Sequence, residues 1–358
     1  HPGNSASVPD LGLLDFNEEY LLENHRERED EDKDAYKSFY KPLFFEALAE
    51  ETTKPEFGHV PYLNGGLFSK SPVEEEFPEA KLGDSAKETN ALFREILEFL
   101  GSWNWHVDER LDVVEPKNLS PAVLGHIFEQ TVNQKEMGAY YTPEEITHFM
   151  ARRSIQPRVL DELNEKVDAD YDELDEVFGL HEAELDTDEG PAVAADGGTL
   201  TQQASLDAAD RDHVEALYFE VLKDLHVLDP AVGSGAFLLA SEDVLLDIYL
   251  HAIEYFEELE EERPFAVTGR VTDELDRIQT SGSKTLYAKR EIILNNLYGV
   301  DIDDGAVEIC KLRLWLSMVA DIENDPDDVD PLPNIDFNIR QGNTLIGYVD
   351  TLPHEKGE

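Results

Sequence analysis

The chain has 358 residues, with 80 Asp and Glu against 29 Lys and Arg and a formal net charge of −51; its pI is near 4.3. Hydrophobic residues make up 41% and the acids run through apolar-periodic segments, which excludes a solvated acidic tail and implies a folded, acid-coated protein of about two domains. A single cysteine excludes intrachain disulfides, no Cys and His spacing suits a metal, and no stretch is apolar enough to span a membrane.

In chain order, residues 1–115 read as a mostly helical N-terminal region with an acidic run from Glu29 to Asp34. Pro9-Asp10 is a bare dipeptide that reads as a turn, and no nuclease constellation accompanies it. Val60-Pro-Tyr-Leu-Asn64-Gly65-Gly66-Leu-Phe68 contains an Asn-Gly-Gly run suited to a turn with positive φ. Ala91 to Leu100 predicts an amphipathic helix with Leu92, Phe93, Ile96 and Leu97 on its core face. A second region, 116–350, opens on Leu124-Gly-His126-Ile-Phe128-Glu129-Gln130. Lys135-Glu-Met-Gly138-Ala-Tyr140-Tyr141-Thr142-Pro143-Glu-Glu145-Ile146 follows. There Thr142 fits an N-cap, Pro143 the first helical position and Glu145 the return partner of a capping box. Ile146, Phe149 and Met150 then supply an apolar face at helical spacing. Residues 182–208 are Gly-, Ala-, Thr- and Asp-rich without periodicity and predict a mobile surface loop.

Val227-Leu-Asp229-Pro230-Ala231-Val-Gly233-Ser234-Gly235-Ala-Phe237 is the most informative stretch. It predicts a short buried strand from Leu225 to Leu228, a glycine turn and the start of a helix. Gly233 and Gly235 permit a tight turn and a close ligand approach, and the N-terminus of the helix offers N–H groups. Asp229 ends the strand, where open α/β sheets bind ligands. Residues 245–294 are helix-like and acidic. Leu297-Tyr-Gly299-Val300-Asp301-Ile302-Asp303 predicts a second strand ending in an acid, then a helix from about Ala306 to Met318. Asp303 and Asp304 suit the cap of that helix, which leaves Asp301 to accept hydroxyls, as acids at strand ends do in dinucleotide folds. Cys310, between Ile309 and Leu312, reads as a buried small hydrophobe. Phe337-Asn-Ile339-Arg-Gln-Gly342-Asn343-Thr-Leu345-Ile-Gly347 predicts a third strand and a turn, and Asn343 reads as a turn residue or a ligand group.

Asp-Pro-Ala-x-Gly-x-Gly-Ala-Phe resembles the S-adenosylmethionine loop of amino-methylating DNA methyltransferases, and the other segments fall in that family's order. Gly-x-Tyr-Tyr-Thr-Pro is similar to the segment that closes over the methionine end of the cofactor. Leu-Gly-His-Ile-Phe-Glu and Tyr-Leu-Asn-Gly-Gly-Leu-Phe resemble the large adenine methyltransferases, many of them single-chain type IIG restriction–modification enzymes. The resemblance implies a Rossmann-like, S-adenosylmethionine-dependent core at 116–350 with a helical insertion at 245–294, preceded by the helical region 1–115. It implies that Tyr141, Thr142 and Pro143 lie at the methionine end and that Asp229, Pro230, Ala231, Gly233, Ser234, Gly235 and Phe237 form the cofactor loop. Asp301 would hold the ribose, Ile302 would pack on the adenine, and Asn343 would meet its amine.

The family's catalytic segment, Asn-Pro-Pro and an aromatic, should follow Asn343, yet Pro-Pro occurs nowhere in the chain. The chain also lacks an initiating Met. The resulting expectation is a fragment cut before its catalytic loop, which binds cofactor without being competent for transfer. That loop would accept the amine hydrogens and stack on an extruded base. The full-length enzyme is expected to methylate adenine in double-stranded DNA, contacting DNA mainly through regions beyond this chain. Two alternatives stay open: a non-catalytic interaction protein on the same fold, and a methyltransferase acting on an amine of cytosine, protein or RNA. The acidic charge runs against the basic footprint expected of a DNA binder. A halophilic cytoplasm near saturating salt reconciles the two, because the Debye length there is roughly 3 Å or less and counterion release contributes little affinity.

Overall fold

The computed structural model describes residues 18–49, 57, 68, 70, 75–77, 82–105, 118–131, 142–179, 210–320 and 333–346. The Pro9-Asp10 dipeptide, the Asn64-Gly65-Gly66 turn and the 182–208 loop lie outside these residues. The chain divides into two units, 1–124 with 315–337 and 125–314 with 338–358. Together the described residues form a helix-rich α/β protein with a small parallel sheet.

The first unit is built from α1 (Glu18–Asp30), two π-helical turns (Tyr36–Tyr40 and Leu43–Ala47) and α2 (Ala86–Gly101). Ser85 starts α2, its hydroxyl accepting the Glu88 N–H, while the Glu88 carboxylate accepts the Asp84 N–H at 3.0 Å. The core gathers Ala35, Phe39, Tyr40, Leu43, Leu48, Phe57 and Leu97. The Tyr40 ring stacks on Phe93 at 4.8 Å. The buried face of α2 agrees with the expected one in part: Leu97 is buried and Phe93 packs on the core as expected, but Thr89 and Asn90 are buried too, whereas Leu92 and Ile96 are exposed. The reason is Asn90, whose amide accepts from the Ala35 N–H and donates to the Lys33 carbonyl, both at 2.9 Å. These two bonds turn a polar residue inward. A two-residue strand, β1 (Asn104–Trp105), pairs in parallel with β2 (Asn118–Leu119).

In the chain, α3 (Pro121–Thr131) precedes α4 (Glu144–Val167), α5 (Leu174–Val177) and α6 (Arg211–Ala216). The chain then runs through β3 (Val227–Asp229), α7 (Ala236–Glu262), α8 (Gly269–Thr280), α9 (Lys284–Glu291) and β4 (Leu297–Asp301) to α10 (Asp304–Val319) and β5 (Ile339–Gln341), all in the second unit except the end of α10 from residue 315. The order β3-β4-β5 is parallel throughout, with Asp229 opposite Gly299 and Asp301 opposite Gln341. All three strands therefore end at one edge of the sheet, where the sequence places its acids.

Three expectations for this unit are corrected. β3 spans Val227–Asp229 rather than 225–228, because its pairing starts at Leu297 and the amide of Asn296 takes the carbonyls of Leu222 and Leu225 at 2.7 and 2.6 Å. The strand is also not wholly buried: Leu228 is 61% exposed, its side chain standing on a sheet face that is open among the described residues. Finally, Thr142 is not the cap of α4. Pro143 holds that position with no side-chain cap. The helix buries Thr147, Ala151, Ile155, Val159 and Leu163, a row spaced four apart, while Ile146, Phe149 and Met150 are exposed. Small residues at the start of that row let α4 pack closely on α7.

The helices between β3 and β4 are tied to the chain that precedes β3. Glu274 of α8 is 1% exposed and accepts from Lys223 Nζ at 2.6 Å and from the hydroxyls of Tyr218 at 2.8 Å and Tyr287 at 2.9 Å. Burial raises its pKa, but those hydrogen bonds together hold it below the usual carboxylate range.

Candidate functional site

Each strand of the β3-β4-β5 sheet runs into a loop at its carboxyl end, and hydrogen bonds stitch the loops together. Val232 N–H donates to the Val300 carbonyl at 3.0 Å and Gly342 N–H to the Asp301 carbonyl at 2.8 Å. Thr344 Oγ1 donates to the Pro230 carbonyl at 3.0 Å, and Gln341 Nε2 to the Ile302 carbonyl at 3.2 Å. Asp229, Pro230, Ala231, Gly233, Asp301, Ile302 and Asn343 are thereby brought to one edge.

The two acids differ in how they are satisfied. Asp301 accepts the Gly233 N–H on Oδ2 at 2.8 Å and the Asp303 N–H on Oδ1 at 2.9 Å. Each carboxylate oxygen keeps a further lone pair. Asp303 in turn caps α10 through the Ala306 N–H at 2.8 Å, as its sequence position suggests. Asp229 accepts the Ala231 N–H on Oδ1 at 3.0 Å, but its Oδ2 is buried without a partner among the described residues. Burial pushes the Asp229 carboxyl up, the Ala231 hydrogen bond opposes this, and the nearby Asp301 charge adds to the rise. A buried, unpartnered carboxylate oxygen is costly unless something donates to it.

The loop after β3 depends on its glycines. Gly233 and Gly235 have φ of 53° and 90°, a region that penalises a Cβ. A Cβ on Gly235 would also stand 2.8 Å from Cys310 Sγ. The Cys310 thiol is fully buried, as expected. α7 begins at Ala236, with Gly235 as its cap residue and no side-chain cap, so the first-turn N–H groups are left to the loop side. Ser234 is buried and Phe237 half-buried. Asn343 forms an Asx turn, its Oδ1 accepting the Leu345 N–H at 3.0 Å.

Of the remaining expected site residues, Tyr141 lies outside the described residues. Thr142 and Pro143 stand at the start of α4, and no hydrogen bond among the described residues joins them to the strand-end cluster. The sequence reading missed Gly299: a Cβ there would approach Val232 Cγ2 to 2.8 Å, so glycine inside β4 lets the loop fold back onto the sheet. Such a glycine was the available signal, since glycine inside a strand marks a close approach.

Residues 207–345 match the MmeI DNA-methyltransferase domain family. Over 337 residues, 88% of this chain, the sequence is 32% identical to a Methanocaldococcus jannaschii protein named as a type II restriction enzyme and methyltransferase, of which the match covers 24%. Over 134 residues it is 30% identical to a type II restriction enzyme and methyltransferase of Escherichia coli, covering 36% of this chain and 12% of that protein. The chain thus spans about a quarter of the length of the first of these relatives. No solved structure matches it.

Proposed function

We propose that the chain is part of a large type IIG restriction–modification methyltransferase, the reading supported by its similarity to a DNA-methyltransferase domain family and to type II restriction enzyme and methyltransferase proteins, and that its strand-end cluster binds S-adenosyl-L-methionine within a Rossmann-like core and serves methylation of the exocyclic amine of adenine in double-stranded DNA. The observation that carries this reading is the acid pair. Asp301 keeps acceptor capacity on both oxygens, and Asp229 presents a buried oxygen that lacks a donor among the described residues, beside a loop with two positive-φ glycines. A ligand with two vicinal hydroxyls and an ammonium group matches those acceptors.

In this reading Asp301 takes the ribose hydroxyls, and the Gly233–Gly235 loop with Asp229 takes the amino-acid end. Ile302, exposed beside Asp301, covers one face of the adenine. Asn343 reaches its amine, with Thr142, Pro143 and Tyr141 closing the methionine end. The cofactor, when bound, supplies an electrophilic methyl group. The residues of this chain bind and orient it, and no group here is assigned to proton removal from the target amine. The adenine assignment rests on the resemblance of Gly-x-Tyr-Tyr-Thr-Pro and Gly-Ala-Phe, and the DNA assignment on that resemblance and on the matched DNA-methyltransferase domain family.

Calorimetric titration of S-adenosylmethionine into the chain in multimolar KCl tests the reading. Micromolar binding is expected. Asp301→Ala should weaken it by about 1.5–3 kcal/mol, the usual loss for a hydrogen bond to a charged group. No binding to a chain shown to be folded by circular dichroism, or full affinity in folded Asp301→Ala, refutes the assignment.

A further inference from the structure

The Leu124-Gly125-His126 segment has no role in the reading above, yet Gly125 of α3 lies directly against the cofactor loop. A Cβ on Gly125 would stand 2.8 Å from Ser234 Oγ, 3.2 Å from Ser234 Cβ and 3.0 Å from Arg313 Nη1. Arg313, on α10, is only 6% exposed. Its Nη1 donates to the Ser234 carbonyl at 2.9 Å and lies 3.4 Å from Ser234 Oγ. One turn earlier on the same helix, Cys310 fills the space that a side chain at Gly235 would need. Asp301, just ahead of α10, holds the Gly233 N–H. The segment from the end of β4 through α10 therefore holds residue 233 by a carboxylate and 234 by a guanidinium, and its Cys310 leaves no room for a side chain at 235.

Burying a guanidinium is expensive, so a buried arginine that holds the backbone carbonyl of a glycine turn calls for a reason. A surface turn needs no such support, since a glycine loop can fluctuate freely. A loop that must present its backbone to a ligand gains from being ordered beforehand, because the ordering cost is then not charged to binding. A charge-assisted bond to a carbonyl is also stronger than a neutral one.

We propose that Arg313 is a positioning residue for the cofactor loop: it clamps the Ser234 carbonyl and holds Gly233 and Gly235 in their binding conformation, and Gly125 is glycine so that the guanidinium can reach. The inference rests on the proposed S-adenosylmethionine site.

The test compares wild type, Arg313→Met, Arg313→Lys and Gly125→Ala in the full chain. Two quantities are read: S-adenosylmethionine affinity by calorimetry, and amide hydrogen exchange of residues 229–237 without cofactor. Arg313→Met should raise Kd by about tenfold or more and speed exchange in the loop while β4 and α10 keep their protection. Arg313→Lys, which retains a cationic donor of similar reach, should recover part of both, and Gly125→Ala should weaken binding by crowding the clamp. If Arg313→Met fails to fold, the Lys and Ala variants read the same contact. Loop exchange like wild type, acceleration spread evenly over the whole unit, or Kd unchanged in all folded variants overturns the clamp. A wild-type chain that binds no cofactor instead overturns the site itself, and with it any cofactor role for Arg313.

Discussion

Asp229 buries one carboxylate oxygen without a donor among the described residues, and its pKa is raised by that burial and by the charge on Asp301, against the Ala231 hydrogen bond. A carboxyl whose folded pKa exceeds its unfolded value costs nothing when both states are protonated. Its cost grows as pH rises through the unfolded value and levels off above the folded one. Asp229→Asn keeps an acceptor for Ala231 and removes the charge. It should stabilise the ligand-free protein at neutral pH by about 0.5–2 kcal/mol, the range typical of relaxing a functional compromise. The gain should shrink to nothing as pH falls below about 4, the unfolded carboxyl range. Thermal unfolding of both proteins across that range measures it. A variant less stable than wild type at neutral pH would show that the Asp229 charge is compensated after all. Cofactor affinity should drop in the same variant, separating stability from binding at one residue.

At the level of elements, α4 ends on Asp168 in the left-handed region, with φ 52° and ψ 45°. A side chain there costs roughly 1–2 kcal/mol for most residues, less for Asp, and a carboxylate at a helix C-terminus also opposes the helix dipole. Asp168→Gly should therefore stabilise by about 0.5–1 kcal/mol, offset in part by the greater freedom of unfolded glycine. Urea unfolding checks this, and a lower midpoint would mean that the Asp168 side chain contributes something its exposure conceals. The same helix shows where sequence legibility stops. Its existence was readable from periodicity, but two rows competed for the core. The Thr147-Ala151-Ile155-Val159-Leu163 row prevails over the more hydrophobic Ile146, Phe149 and Met150, because close helix packing favours a row that begins with small residues over the bulkier one. The strand-turn-helix at Val227–Ala236 and the strand at Leu297–Asp301 were readable because glycines and acids sit at their ends. Arg313 was not, since a cation on an apolar helix normally points to water. Only the three-dimensional partner, Ser234, shows why it is inside.

For the whole molecule, a net charge of −51 means that acids mostly face other acids. Some cations are shared, as where Lys284 meets both Glu254 and Glu257 at 3.1 and 3.2 Å. Exposed pairs of this kind contribute little individually, so repulsion dominates the surface. Raising KCl from about 0.1 M to about 1 M shortens the Debye length from roughly 10 Å to roughly 3 Å. The unfolding temperature should rise steadily over that interval. A flat or falling midpoint would show that paired charges outweigh the excess acids, and would remove the high-salt explanation of the composition.

The sole cysteine of the chain is walled in against Gly235, and burial pushes its thiol up to about 12. Thiolate is the species that maleimides and iodoacetamides capture, so such reagents should pass the native residue by in the folded state. The protein is consequently ready for site-specific labelling with its own cysteine left in place. Leu345→Cys, at a position 94% exposed and two residues beyond Asn343, would carry a dye at the strand-end cluster, and Phe265→Cys, 89% exposed between α7 and α8, would carry one on the helical segment.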